Sequence, residues 1–164
     1  MKIIFDASSI INLLNGDAMD SVLSLPDSSF CIGPLALEEC KQQRELINAL
    51  IRQGSIELLD DTNMPASVFS ALQRRYDLGV GETECLAFAI DQQLTVSCDD
   101  HKARVMVSGR LTSLRVIGSI SLLSRCVQQG LLSPEEAETK YRRMKSRGGF
   151  LPNLPPGYFK QAIN

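Results

Sequence analysis

The sequence predicts one α/β domain with three layers: a central, mostly parallel sheet of four to five strands, with helices on both of its faces. Two observations support this prediction. Short apolar runs alternate along the chain with longer segments of helical periodicity, an order typical of parallel strands joined by helices. No repeat or linker divides the chain, and 164 residues, of which 44% are hydrophobic, suffice for one buried core.

The strands are predicted from short runs of β-branched, aromatic and other apolar residues, which are typical of a buried sheet. The first such run begins at residue 2 and ends directly before Asp6. Five strands are expected, at residues 2–5, 29–32, 55–59, 94–97 and 115–117.

Capping residues and apolar spacing predict the helices between these strands. Pro34 suits the first turn of a helix, and we expect that helix to continue unbroken to about residue 53. Pro65 opens another helix in the same way. Residues 148–157, rich in glycine and proline, are expected to be irregular. Further helices are expected after Asp6 as far as Gly16, at 81–90, from Asp99 onward, at about 119–129 and at 133–146.

Composition argues against several kinds of protein and site. The chain has a single histidine, His101, and its five cysteines include no Cys-x-x-Cys pair, which argues against a histidine-rich zinc site and a disulfide framework. The longest strongly apolar segment, at residues 85–90, is too short to span a bilayer, and the N-terminus lacks the apolar segment of a signal peptide. We therefore expect a soluble, cytoplasmic protein with reduced core thiols.

The net charge of −2 conceals an uneven distribution along the chain. Residues 1–101 contain 6 Lys/Arg and 16 Asp/Glu, whereas residues 102–164 contain 11 Lys/Arg and 3 Asp/Glu. This asymmetry suggests that one part of the molecule gathers cations while another meets a polyanion, although charges that are merely solvated produce the same pattern.

Four chain segments supply acidic side chains near helix starts. Asp6, Asp99 and Asp100 directly follow predicted strands, at the carboxyl edge where open α/β sheets bind their ligands. Each position also has a purely structural explanation, because an acid at a helix N-terminus caps the helix or complements its dipole. Asp6 favours a site, since it follows a buried strand, where a lone carboxylate needs a partner. The four segments supply Asp6, Glu38 and Glu39, Glu82 and Glu84, and Asp99 and Asp100.

Converging carboxylates repel one another, which raises some of their pKa values unless a cation lies between them. Mg²⁺ or Mn²⁺ would resolve this repulsion, because these hard ions prefer oxygen ligands, hold phosphates and activate water for in-line attack. Rival catalytic motifs fail. Residues 79–82 lack the ending of a phosphate-binding loop, Ser8 stands where an aspartyl-nucleophile phosphatase needs a second Asp, and no Gly-x-Ser-x-Gly supports a triad with His101.

Four segments, in this order, resemble the PIN-domain family, the ribonuclease fold of VapC-type toxins. They match its opening strand with the first acid, its second-acid helix, its Gly-Glu-x-Glu segment, and its last strand with the fourth acid. The third and fourth segments look closest to a PIN-like branch of uncertain role. The segments are residues 3–9, 34–39, 78–87 and 96–104.

The resemblance extends from residue 2 to about residue 130. We therefore expect a PIN-like nuclease domain at residues 1–132. Residues 133–164 are expected to form a C-terminal helix and an irregular tail that pack on this domain or extend it.

The resemblance implies hydrolysis of RNA phosphodiester bonds by a metal-activated water, without a covalent intermediate. Glu84 would be a further metal ligand, and alignment on the apolar residues favours Glu39 over Glu38. Ser9 and Ser97 would steady the carboxylates by hydrogen bonds. The acids around one or two Mg²⁺ or Mn²⁺ ions would be Asp6, Glu39, Glu82 and Asp99.

Five basic residues in the last predicted helix form what we call the basic cluster. One interpretation is a clamp on the phosphate backbone of RNA, which an acidic pocket alone would not attract. The other is a solvated helix end whose charges complement the helix dipole. The cluster consists of Lys140, Arg142, Arg143, Lys145 and Arg147.

The resemblance also implies a homodimer and, for a toxin, an antitoxin protein that restrains it. Two alternatives stay open: an inactive PIN-like module that binds RNA or a protein without cutting, and cleavage of DNA by the same residues. The enzyme is favoured because every acidic segment retains its carboxylate. Apolar side chains of the tail are expected to dock on the domain or on a partner; they are Phe150, Leu151, Leu154, Tyr158 and Phe159.

Overall fold

The computed structural model describes residues 1–64, 66–110 and 115–163. Within them the strands are β1 (Lys2–Phe5), β2 (Ser29–Ile32), β3 (Glu57–Leu58), β4 (Thr95–Ser97) and β5 (Val116–Ile117). They form one sheet of order β3-β2-β1-β4-β5 in which every pairing is parallel. This sheet, with helices packed on both faces, confirms the predicted three-layer α/β fold.

Helices connect these strands and continue beyond the last of them. In the described residues they are α1 (Ala7–Asn15), α2 (Met19–Leu23), α3 (Pro34–Glu39), α4 (Arg44–Arg52), α5 (Ala66–Arg75), α6 (Val80–Gln92), α7 (His101–Arg110), α8 (Ser119–Gln128) and α9 (Pro134–Ser146), with 3₁₀ turns at Asp61–Asn63 and Tyr158–Ile163. None of these helices is long and apolar enough to cross a membrane.

The alternation of side chains along the strands divides the interior into two cores. Phe5 stacks on Phe30 with ring centroids 5.3 Å apart, on the face covered by α1, α8 and α9. Ile4 and Val96 point to the opposite face, which α5 and α6 cover. Both faces of the sheet are therefore buried, as the apolar composition of the strands predicts.

Strand register brings three loops to one edge of the sheet. Phe5, the last residue of β1, pairs with Ile32 at the end of β2 and with Ser97 at the end of β4. The residues that follow these strands, among them Asp6, therefore emerge side by side at the carboxyl edge. The start of α1 and the loop before α7 meet there because parallel strands end together.

The helix expected to run unbroken from Pro34 to residue 53 is in fact two helices, so this prediction is wrong. Cys40 leaves the helical conformation with ψ of 48°, and its buried thiol donates to the Ala36 carbonyl at 3.2 Å. A turn at residues 40–43 separates α3 from α4. Glu39 therefore becomes the last residue of α3.

One short helix was not predicted, and the predicted start of another lies outside the described residues. The short helix α2 was not predicted, because its five residues span little more than one turn and lack a side-chain cap. Pro65, expected to open a helix, lies outside the described residues, and α5 is described from Ala66.

The chain after α8 packs on the same core. Helix α9 contacts α1 and α8, and Met144, Leu151 and Phe159 are buried with the core residues of those helices. Residues 148–157 contain no helix or strand, as predicted. Phe150, by contrast, is completely exposed.

Candidate functional site

Asp6 lies directly after β1 with its carboxylate almost completely buried. Its Oδ2 atom accepts hydrogen bonds from the Ser8 hydroxyl at 2.5 Å, from the Ser8 amide at 3.2 Å and from the Cys98 thiol at 3.3 Å. Its Oδ1 atom is buried and has no hydrogen-bond partner in the described structure. Burial raises the pKa of Asp6, and the hydrogen bonds from Ser8 and Cys98 only partly offset that effect.

Ser8 connects Asp6 to the loop after β4. Its hydroxyl donates to Asp6 and accepts from the Asp99 amide at 3.0 Å. Sequence reasoning selected Ser9 for support of the carboxylates, but the Ser9 hydroxyl donates to the main-chain carbonyls of Ser97 at 2.7 Å and Asp6 at 3.3 Å. The Ser97 hydroxyl is buried without a hydrogen-bond partner among the described residues.

Asp99 follows β4, the strand that pairs with β1, and both of its carboxylate oxygens accept hydrogen bonds from other elements. Its Oδ1 accepts from the Ser119 amide at the start of α8 at 2.9 Å, and its Oδ2 accepts from the Asn12 side chain at 2.8 Å. Asn12 is a buried residue of α1 that sequence reasoning missed, since a single Asn in an apolar helix gives no recognisable signal. Asp99 thus ties α1 to α8.

Glu39 and Glu82 meet at the start of α6. Glu82 accepts from the Gly79 amide at 3.0 Å, and Glu39, at the end of α3, accepts from the Gly81 amide at 3.1 Å. A Cβ atom on Gly79 would lie 3.7 Å from Glu82 Oε2 and 4.0 Å from Glu39 Oε1, so these two oxygens flank the same point. Glu38 and Glu39 are both exposed, but Glu38 makes no side-chain hydrogen bond with a described residue.

Glu84 has a different position from the other acids. It is completely buried, and both of its oxygens accept from main-chain amides at the start of α3, from Leu35 at 3.0 and 3.1 Å and from Ala36 at 3.1 Å. Gly33 leaves the room for this contact, since a Cβ atom there would lie 2.1 Å from Glu84 Oε2. Glu84 therefore caps α3, and its assignment as a metal ligand stays a prediction.

Electrostatics link the acids at this edge of the sheet. The pKa of Glu82 is raised, first by burial and then by the charges of Asp6, Asp100 and Glu39. Glu82 and Asp6 also line one small cavity of about 10 Å³. Asp100, which sequence reasoning noted without assigning a role, accepts from the Ala103 amide at 2.8 Å. No ion pair in the described part of the chain involves any of these carboxylates.

The basic cluster lies along the opposite end of α1 and forms contacts within the molecule. Arg143 pairs with Asp17 at 2.5 Å, Lys140 donates to the Asp17 carbonyl at 2.5 Å, and Arg147 donates to the Asn15 carbonyl at 2.7 Å. Arg142 pairs with Glu138 at 2.9 Å and Lys145 donates to the Asn153 side chain. Nine helical residues separate Asp6 from this region, about 14 Å along the axis.

A family model for the PIN domain matches residues 2–154. The chain belongs to the PIN-domain family. No curated protein and no solved structure matches it significantly. The match includes α9 and the first part of the tail, so it extends beyond residue 130, where the sequence resemblance ended. PIN domains are generally nucleases and typically use divalent metals.

The donor set of this PIN domain suits a hard divalent ion. Asp6 Oδ1, Glu39 Oε2 and Glu82 Oε1 each accept no hydrogen bond from a described residue, and no described Lys or Arg forms an ion pair with them. The described side chains do not lie in a metal-binding arrangement, because no three His, Cys, Asp or Glu residues among them converge closely enough. The chemistry of these oxygen donors fits Mg²⁺ or Mn²⁺.

Proposed function

We propose that this PIN domain is a Mg²⁺- or Mn²⁺-dependent endoribonuclease. The observation that supports this function best is the Asp6 carboxylate, whose buried Oδ1 has no hydrogen-bond partner among the described residues and which lines one small cavity with Glu82. A buried, unpaired carboxylate oxygen such as Asp6 Oδ1 costs free energy unless a proton or cation satisfies it. A bound cation would offset this free-energy cost.

Some of these residues would bind the ion, and others orient the residues that bind it. Asp6, Glu39 and Glu82 would bind the metal, with Asp99 as the fourth acid of the set. Ser8 orients Asp6 and fixes the Asp99 amide, while Asn12 orients the Asp99 carboxylate. When bound, the ion neutralises charge on the scissile phosphate and activates water for hydrolysis.

RNA as the substrate, and a role as a toxin restrained by an antitoxin, are proposed from the resemblance to VapC-type proteins. A homodimer is proposed on the same basis. The exposed apolar side chain of Val105 is a candidate for coverage by a partner chain. Sedimentation of the purified chain, alone and with the product of a neighbouring reading frame, tests both assemblies.

Metal binding and cleavage test the proposed function together. Mn²⁺ should raise the thermal midpoint of the wild-type chain and support cleavage of RNA, and Asp6→Asn should abolish both effects. Asp91→Asn is the matched control, since Asp91 is an exposed carboxylate at the far end of the helix that carries Glu82. If the chain cleaves DNA as fast as RNA, it is a nuclease that does not distinguish the two and not a ribonuclease.

The second candidate is a PIN domain that binds RNA or a protein without cutting it. The observation that favours it is that the described acids do not converge into a metal-binding group, with Asp99 and Glu84 already satisfied by the surrounding amides. A wild-type chain that gains no stability from Mn²⁺ or Mg²⁺ and cleaves no RNA decides for this binding module.

A further inference from the structure

A cleft of about 590 Å³ opens beside Asp99, away from the small cavity shared by Asp6 and Glu82. His101 and Arg104 of α7 line one side, and Phe150, Leu154 and Tyr158 of the tail line another. This volume lies within the range of sites that bind small ligands. The cleft therefore joins the acidic edge of the sheet to the C-terminal tail.

The tail is anchored firmly where it reaches this cleft. Gly149 packs so tightly that a Cβ atom there would lie 2.6 Å from Asn12 Oδ1, and Leu151 is buried in the core. Asn12 is also the residue that donates to Asp99. Phe150, between these two anchors, is 100% exposed. The fold thus presents an aromatic ring to solvent at a position fixed relative to Asp99.

An aromatic ring held in water beside a cleft is typical of proteins that stack nucleic acid bases. Tyr158 adds a second ring to the lining, and it packs edge-on against the buried Phe159 at a centroid distance of 5.3 Å. The cleft therefore offers aromatic and apolar surface at its rim and along its wall.

The other side of the cleft supplies positive charge. The Arg104 guanidinium is half-buried and donates to the Cys98 carbonyl at 3.3 Å. It lies next to Asp99, since a Cβ atom on Gly118 would be 2.4 Å from an Arg104 guanidinium nitrogen and 2.5 Å from Asp99 Oδ1, but the two form no ion pair among the described residues. Asp99, the acid that lines the cleft, already accepts from Ser119 and Asn12. Aromatic surface opposite a guanidinium whose remaining N–H groups have no hydrogen-bond partner among the described residues matches a nucleotide, with its apolar base and anionic phosphate.

We propose that this cleft binds one unpaired nucleotide of single-stranded RNA, with its base against Phe150 and its phosphate toward Arg104. The proposal rests on the proposed function for the identity of the adjacent acidic site. A base in a duplex is stacked and paired and cannot turn into a cleft of this kind without unpairing. The cleft would therefore select single strands and place the neighbouring phosphate near Asp99.

Binding of a fluorescein-labelled oligouridylate, followed by anisotropy with EDTA present, tests this proposal without cleavage. Phe150→Ala should weaken binding at least about fivefold, the lower limit for loss of one base-stacking contact, and Phe150→Trp should restore it. Leu46→Ala is the matched control, because it also removes an exposed apolar side chain, on α4 and outside the cleft lining. The same oligonucleotide annealed to its complement should bind more weakly than the single strand.

Photo-crosslinking of a thiouridine-containing strand should label Phe150 or Tyr158 in the wild-type chain. Equal affinity of Phe150→Ala and Leu46→Ala, equal binding of single strand and duplex, or crosslinks confined to other surfaces would overturn the proposal. Cleavage assays with Mn²⁺ separate it from the proposed function. Phe150-dependent binding without any cleavage supports the cleft and rejects the nuclease, whereas Asp6-dependent cleavage with Phe150-independent binding does the reverse.

Discussion

At the scale of single residues, Asp6 shows both what the sequence reveals and what it leaves out. Its position after a buried strand predicts a buried carboxylate that needs a partner, and the structure places it so. Which hydroxyl reaches it is not predictable from spacing, because Ser8 and Ser9 are both near and the first turn of α1 alone decides which one faces the carboxylate. The preference for Ser9 came from resemblance, and the geometry favours Ser8.

Asp6→Asn should stabilise the metal-free chain at neutral pH. Burial raises the pKa of Asp6 in the folded state, so the ionised carboxylate costs folding free energy at every pH above that raised pKa. Below the unfolded value of 3.8 the carboxyl group is protonated in both states and the cost disappears. In EDTA the variant should therefore unfold at a temperature a few degrees higher than wild type at pH 7, with the difference shrinking toward pH 4.

Thermal unfolding at several pH values, with and without Mn²⁺, measures this difference. Asparagine retains the capacity to cap α1, so loss of the cap does not mask the effect. The order of stabilities should reverse when Mn²⁺ is added, because only wild type gains from the ion. A variant that is less stable than wild type in EDTA at pH 7 would mean that burial of the Asp6 carboxylate is already compensated in the free protein.

At the scale of elements, α3 and α6 each supply a carboxylate that accepts a hydrogen bond from a main-chain amide near the start of the other helix. Glu84 of α6 caps the start of α3, and Glu39 at the end of α3 accepts from Gly81 in the first turn of α6. The sequence identifies these acids but does not predict their contacts between the two helices. Those contacts depend on the end of α3 at Cys40, where no glycine or proline marks the end of a helix. If the helix had continued past Glu39, this residue would not lie at the helix end from which it contacts Gly81.

Gly81→Ala should separate the placement of Glu39 from the stability of the fold. A Cβ atom at Gly81 would lie 2.6 to 2.9 Å from the Glu39 carboxylate, so that flexible side chain must move away. Metal affinity and metal-dependent cleavage should fall roughly 10- to 100-fold, the range found when residues that orient metal ligands are changed. The thermal midpoint in EDTA should be unchanged or slightly higher, because alanine favours a helix more than glycine does.

Gly79→Ala provides the control for this prediction. Its Cβ atom would make only ordinary contacts, at 3.7 Å from Glu82 and 4.0 Å from Glu39. Titration of Mn²⁺ by thermal shift should therefore separate the two alanine variants. If Gly81→Ala and Gly79→Ala bind Mn²⁺ equally well, Glu39 does not contribute to the metal site.

Glu84→Gln tests whether the buried acid of α6 is a helix cap or a metal ligand. The amide group can accept from one main-chain amide of α3, but its own N–H groups then face the other donor, so the free energy of unfolding should fall by about 1–3 kcal/mol. Denaturant unfolding measures this loss. The gain in stability on adding Mn²⁺ should be preserved. A variant of normal stability that no longer responds to Mn²⁺ would instead identify Glu84 as the further ligand that the sequence resemblance implied.

At the scale of the whole molecule, the acidic and basic residues, which lie in different parts of the sequence, are only partly separated in space. Of the acids in residues 1–101, Asp6 and Asp99 follow β1 and β4 at the carboxyl edge of the sheet, as their positions after strands predict. The basic cluster does not face them, because Asp17, at a turn with φ of 52°, draws Arg143 and Arg147 to the far end of α1. The sequence predicts which residues are charged and which strands align, but tertiary contacts decide which charges stay available.

The contacts of the basic cluster within the molecule leave its side chains able to bind phosphates as well. The Arg143–Asp17 and Arg142–Glu138 pairs are largely exposed, so each adds well under about 1 kcal/mol to stability and is readily exchanged for contacts with phosphates. If the cluster clamps RNA, the combined change of Arg142, Arg143 and Lys145 to Ala should weaken RNA binding. The slope of log affinity against log salt concentration should then fall in magnitude by roughly 2, the value for three phosphate contacts on a single strand.

A second triple variant removes the same charge elsewhere. Changing Arg44, Arg52 and Arg74 to Ala, three exposed positions on α4 and α5, lowers the net charge equally without touching α9. Only the α9 variant should change the salt dependence, because counterion release depends on direct phosphate contact rather than on total charge. If both variants show the wild-type slope, the cluster serves to attach α9 to α1, and RNA must reach the acidic edge along a different surface.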